Sequence, residues 1–196
     1  MPVSYTNRKG VTYYLCQSLT KTGKPRYYFS REPKEASPEQ IPEGCRISES
    51  VNGIVSLVID RPQLIFPEEL VVVEKEISRH PKSENYRVDI KKDQIVVYER
   101  QGPDVDTIVD IFGKFTLFPP DDLRRKVKGD LLANAQYSPI MRFTLKDHAA
   151  RTFKVERWNF LGSVDDWIDI LRLGKLDDLV KKLIPKLGTD AFFDLY

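Results

Sequence analysis

Apolar and polar positions alternate along the first third of the chain. Val11, Tyr13 and Leu15 interleave with Thr12, Tyr14 and Cys16; after the polar turn Thr20-Lys-Thr-Gly-Lys24, Tyr27 and Phe29 interleave with Arg26, Tyr28 and Ser30. A period of two sends successive side chains to opposite faces of a strand, so the stretch predicts a β-hairpin. Val11, Tyr13, Leu15, Tyr27 and Phe29 share one face and Thr12, Tyr14, Cys16, Arg26, Tyr28 and Ser30 the other, with Gly23 supplying the freedom a tight turn needs. A loop punctuated by Pro33, Pro38 and Pro42 follows. Residues 45–50 and 54–58 then predict a second hairpin around Val51-Asn52-Gly53, a turn sequence whose last two residues tolerate positive φ.

The pattern changes at Arg61-Pro62. Pro67 and the acidic pair Glu68-Glu69 read as a helix start, and Leu70, Val73 and Ile77 recur at helical spacing up to Pro81. Residues 86–90 and 95–98 predict a third hairpin; 104–112 and 121–132 predict two helices separated by Pro119-Pro120. Residues 140–146 and 152–158 predict a fourth hairpin, with Met141, Phe143, Leu145, Phe153 and Val155 on its core face. Arg142, Thr144, Lys146, Lys154 and Glu156 fall on the other face, which the alternation assigns to solvent. Ser163-Val-Asp-Asp166 resembles a capping-box helix start leading into Trp167, Ile168 and Leu171. Trp158, Phe160 and Trp167 bracket Gly162 and are expected to pack the last helical section onto the fourth hairpin. A last helix carries Leu176, Leu179, Val180 and Leu183, and the apolar tail 187–196 is expected to dock behind it. The expected class is α+β: antiparallel β-hairpins with interspersed helices and a helical C-terminal section. The expected division is a β-rich N-terminal module, 1–62, and an α+β domain, 63–196.

Composition narrows the function classes. Hydrophobic residues make up 41% of the 196, enough for a core, and 31 basic against 29 acidic side chains leave a net charge of +2. A wholly basic nucleic-acid protein is excluded by that balance, but a local basic patch is not. Cys16 and Cys45 are too few for a disulfide scaffold and form no Cys-x-x-Cys pair, so they read as reduced thiols in a cytosolic protein. The N-terminus lacks an apolar signal core and no apolar run approaches membrane-spanning length, so a cytoplasmic, soluble chain with no membrane partner is expected.

The local patch lies in the first hairpin. Residues 1–35 hold Arg8, Lys9, Lys21, Lys24, Arg26, Arg31 and Lys34 against Glu32 and Glu35, which is 7 − 2 = +5 in a chain whose total is +2. The leading reading is a non-enzymatic protein that binds DNA or RNA through this hairpin, with Tyr14 and Tyr28 stacking on bases and Lys21, Lys24 and Arg26 meeting phosphate. Tyrosines are also strand formers and lysines protect sheet edges, so the class-distinct alternative is a protein-interaction or structural adaptor. A third reading, a metal-dependent hydrolase, would need Asp104, Asp106, Asp110, Asp121, Asp122, Asp165, Asp166 and Asp169 to converge. Each group sits near a predicted helix start, where capping accounts for it. The basic run Arg124–Lys128 reads as a solvated helix face. His80 at a helix end, His148 in a turn, and the lack of a nucleophile elbow or Gly-rich phosphate loop leave no catalytic residue, metal site or cofactor to assign.

Tyr5-Thr-Asn-Arg-Lys-Gly10, Gly23-Lys-Pro-Arg-Tyr-Tyr-Phe29, Ile41-Pro-Glu-Gly44 with Val51-Asn-Gly53, and Leu187-Gly-Thr-Asp-Ala-Phe-Phe193 together resemble an uncharacterised prokaryotic protein family with no assigned function. The resemblance runs over roughly the full length. It implies one intact protein rather than a fusion, and no activity, cofactor or site residue comes with it.

Overall fold

The computed structural model describes residues 1–34, 36–115, 121–160, 162 and 165–194. Contacts divide the chain into two compact units, Met1–Pro62 with Pro103–Ala135, and Gln63–Gly102 with Gln136–Tyr196. The class is α+β, with antiparallel sheets and interspersed helices. Among the described residues, no helix is long and apolar enough to cross a membrane.

The first unit holds a three-stranded antiparallel sheet in the order β1 (Ser4–Thr6), β2 (Thr12–Leu19), β3 (Pro25–Ser30). The predicted hairpin is β2–β3, paired Leu15 to Phe29 and Cys16 to Tyr28, so its two faces carry the residues that the alternation assigns to them. The short strand β1 has no counterpart in the sequence reading. A separate hairpin, β4 (Cys45–Glu49) and β5 (Val55–Ile59), packs through β5 against β3. The turns of these sheets are fastened together. The Asn7 amide donates to the Gly53 carbonyl at 2.7 Å, while its side-chain oxygen accepts from the backbone of Lys9 and Val11. Gly53 has a φ of +77°, and a Cβ there would sit 3.1 Å from the Asn7 side-chain nitrogen. A side chain would thus be opposed both by the backbone conformation and by its neighbour. Glu49 accepts from the backbone and side chain of Arg8 and from the Tyr5 hydroxyl, each at 2.9 Å. Burial alone would raise its pKa, but those hydrogen bonds outweigh burial and hold the carboxyl below its ordinary value.

The same unit contains α2 (Val105–Phe115) and α3 (Asp121–Asn134). Asp104 caps α2, accepting from the Asp106 and Thr107 amides at 3.0 and 3.2 Å. Lys128 pairs with Asp106 at 2.8 Å and Arg124 with Asp110 at 3.7 Å, joining the two helices. Pro119-Pro120, the expected separator, lies outside the described residues.

The second unit is built on a five-stranded antiparallel sheet in the order β10-β9-β8-β7-β6. Its strands are β6 (Tyr86–Lys91), β7 (Gln94–Arg100), β8 (Tyr137–Asp147), β9 (Thr152–Phe160) and β10 (Asp165–Lys175). The helices α1 (Pro67–Arg79) and α4 (Leu176–Leu183) supply the other half of the core. Val73 and Ile77 of α1 and Leu179, Val180 and Leu183 of α4 meet Ile95, Val97, Met141, Phe143, Leu145, Phe153 and Val155. Each such side chain contributes about 1.5–3 kcal/mol on burial, so this layer dominates the unit's stability. The tail closes the core as expected: α5 (Asp190–Phe193) buries Phe192, and Arg157 donates to the Phe192 carbonyl at 2.7 Å.

Two expectations for this unit are overturned. The stretch around Trp167 is β10, not a helix. Its apolar residues fit both periods, and antiparallel pairing with β9, Trp167 to Trp158 and Asp169 to Glu156, selects the strand. The Trp158 and Trp167 rings meet edge to face at 5.2 Å. The expected cap Ser163 lies outside the described residues. The outer face of the fourth hairpin is also not simply solvated. Glu156 is only 7% exposed and Thr144 5%. Arg142 grips Glu156 with two hydrogen bonds of 2.7 and 3.0 Å and lies 4.3 Å from the centre of the Trp167 ring. Lys154 bonds Glu156 and also pairs with Asp169. Charged side chains lie flat on this face because they neutralise one another and have a tryptophan to lie against.

Candidate nucleic-acid interface

The predicted site residues occupy two levels of the β2–β3 hairpin. Strand β1 pairs with β2 only over Thr12, Tyr13 and Tyr14. Farther along, the Ala36 carbonyl accepts from the Gln17 amide at 2.9 Å, so the segment after β3 takes over the place beside β2. Beyond Gln17 and its partner Tyr27, β2 and β3 continue as a two-stranded ribbon, with Ser18 opposite Arg26 and Leu19 opposite Pro25. Every residue from Ser18 to Arg26 is exposed.

Lys21, Lys24 and Arg26 lie in this ribbon end. Among the described residues none of the three has an ion-pair partner; nearby in sequence, Arg8 pairs with Glu49 and Arg46 with Asp60. The turn itself is held by its own polar groups. The Lys24 amide donates to the Thr20 hydroxyl at 3.1 Å and the Gly23 amide to the Thr20 carbonyl at 2.9 Å. Gly23 has a φ of +77°, the conformation that makes glycine the apt residue there.

Tyr14 and Tyr28 lie at the lower level. They share a face with Arg26, as their alternation implies, but both are half-buried. Between them Cys16 is fully buried, its sulfur 3.7 Å from the Ser37 hydroxyl. Lys34 sits over the Tyr28 ring at 5.4 Å. Lys34 and Ser37 thus lie against the Tyr28–Cys16 level, while Ser18 to Arg26 stay exposed. Sequence reasoning could not find this placement, because loop residues carry no periodicity that says which face they lie on.

The structure places most of the other candidates in local contacts. Among the described residues, no group of three or more His, Cys, Asp or Glu side chains could hold a metal ion. Asp106, Asp110, Asp122 and Asp169 are each in an ion pair. The Asp165-Asp166 pair lies in a strand, and the Asp166 carboxylate accepts from the Trp167 amide. Arg124 and Lys128 of the basic helical run face aspartates of α2, so that run is not uniformly solvated. His80 accepts from the Lys82 amide through Nδ1 at 3.1 Å, which makes Nε2 the nitrogen that donates to the Leu187 carbonyl at 3.2 Å. His148 is exposed in its turn, and the two cysteines are free. A cleft of about 220 Å³ in the second unit is lined by Glu68, Glu69, Arg151, Phe153, Lys175 and Asp177 among others. Its central arginine is committed: Arg151 grips Glu69, donates to the Leu64 carbonyl at 3.1 Å and lies 4.1 Å from the centre of the Phe66 ring. Lys175 donates to the Ala150 carbonyl. These contacts fasten the segment before α1 to the β8–β9 turn.

No protein-family model matches the chain, and no curated protein or solved structure matches it at a significant level.

Proposed function

We propose that the protein binds nucleic acid, without catalysing a reaction on it, through the exposed end of the β2–β3 hairpin. One observation carries this reading: Lys21, Lys24 and Arg26 stand together on an exposed ribbon with no carboxylate neutralising them among the described residues. On the outer face of β8–β9, by contrast, Arg142 and Lys154 are paired with Glu156. Guanidinium and ammonium groups on one exposed ribbon end suit the phosphate backbone, whose bound counterions they release. Tyr14 and Tyr28 lie half-buried below the ribbon end.

Fluorescence anisotropy of labelled DNA and RNA titrated with the full chain tests this reading. Binding that weakens steeply with salt and drops in Arg26→Ala supports it. Absence of binding at low salt rejects it. Capture of a protein partner insensitive to ionic strength would favour an adaptor role instead.

A further inference from the structure

The ribbon that carries the proposed function also has a size and a surface that select among nucleic acids. Resting on the nucleic-acid reading, we infer that its partner is B-form duplex DNA, entered through the major groove and held by its phosphates rather than by its bases.

Shape is the first ground. From the Gln17–Tyr27 pair to the tip the ribbon extends about 12 Å at the usual rise of a strand, and its two strands lie about 4.8 Å apart. The B-DNA major groove is about 12 Å wide and 8.5 Å deep and admits a two-stranded ribbon. The A-form major groove is too narrow and deep for side chains to enter. Nothing thickens the end of the ribbon, since every residue from Ser18 to Arg26 is exposed and β3 is an edge strand of its sheet.

The second ground is the distribution of charge. Lys21 and Lys24 lie in the turn and Arg26 on β3, so cations are present at the tip and along one flank. A ribbon seated in a groove has phosphates on both sides, where such groups fix position without reading sequence. The third ground is what the ribbon lacks. Binding of single strands uses open aromatic rings on which bases stack. No aromatic residue lies between Ser18 and Arg26; Tyr14 and Tyr28 lie below that level, half-buried, with Lys34 over the Tyr28 ring. Of the side chains able to reach base edges, Lys21, Lys24 and Arg26 are the cations assigned to phosphate, and the threonines are engaged within the turn. The Thr20 and Thr22 hydroxyls lie 3.0 Å apart in a mutual hydrogen bond, and Thr20 also receives the Lys24 amide. The binding is therefore indifferent to sequence.

A competition experiment with the full chain tests this. A labelled DNA duplex is displaced by unlabelled duplex DNA, single-stranded DNA or double-stranded RNA of the same sequence at one salt concentration. The duplex is expected to compete about tenfold or more better than either alternative, with Lys21→Ala/Lys24→Ala/Arg26→Ala losing most of the duplex affinity. Methyl green, a major-groove ligand, should displace the protein, and netropsin, a minor-groove ligand, should not. Equal or better competition by single strands or by duplex RNA, or displacement by netropsin, overturns the inference while leaving nucleic-acid binding intact. Failure to bind any of the three overturns the underlying reading and the inference with it.

Discussion

Two strand surfaces of this chain carry similar numbers of cations and use them in opposite ways. On the outer face of β8–β10, Arg142 and Lys154 converge on Glu156, and Asp169 completes the set. At the end of β2–β3, Lys21, Lys24 and Arg26 have no carboxylate within reach among the described residues. The first surface is finished internally: its charges are partly buried, hydrogen-bonded and covered by Trp167. The second has no such internal complement among the described residues, and the proposed function assigns that role to phosphate. Basic character by itself therefore indicates little; what matters is whether a carboxylate stands opposite.

The contrast can be broken first on the finished side. Glu156→Ala leaves Arg142 and Lys154 facing a low-dielectric surface without their common acceptor. A loss of about 2–3 kcal/mol is expected from denaturant unfolding, since both cations are partly exposed and Lys154 keeps Asp169. Acid sharpens the same point. Burial raises the pKa of Glu156, but Arg142, Thr144 and Lys154 outweigh it and pull the carboxyl down to about 2. A carboxylate depressed in the folded state adds stability above its unfolded pKa and loses it as pH falls through the folded value. On the order of 2–3 kcal/mol should vanish between about pH 5 and pH 2, and Glu156→Gln should flatten that part of the profile. In the first unit, Asn7→Ala removes three hydrogen bonds and leaves backbone groups of the turns unsatisfied. It should cost about 1–3 kcal/mol, measured as a shift in urea midpoint at unchanged slope. At the ribbon end the effect on stability should be smallest. Alanine at Lys21, Lys24 or Arg26 is expected to change unfolding free energy by less than about 0.5 kcal/mol, because all three are exposed.

The sequence made much of this legible, and its failures have physical causes. The four hairpins were readable from alternation and from the turns around Gly23, Asn52-Gly53, Lys91–Gln94 and Asp147–Ala150, which limit where a chain reverses. Helices α1 and α4 were readable from Pro67 and from the spacing of Leu176, Leu179, Val180 and Leu183. Strand β10 was misread because Trp167, Ile168 and Leu171 satisfy a helical period as well, and only pairing with β9 breaks the tie. The outer face of β8–β9 was misread because a polar position shows whether a side chain is charged, not whether its counter-charge lies on the next strand. Arg151 gripping Glu69 and Asn7 reaching Gly53 were invisible for a related reason: each joins residues far apart in sequence. At the candidate site, the shared face of Tyr14, Arg26 and Tyr28 was legible, whereas the placement of Lys34 over Tyr28 and of Ser37 beside Cys16 was not.

The most direct test of the central claim is the salt dependence of DNA binding for the wild type and for Lys21→Ala/Lys24→Ala/Arg26→Ala. Each phosphate contact adds about 0.9 to the slope of log affinity against log salt concentration. The wild type should bind with a steep slope, and the triple variant should bind more weakly with a slope shallower by about two to three. Identical slopes, or binding that salt does not weaken, would contradict the claim that the unpaired cations of the ribbon are the contact surface.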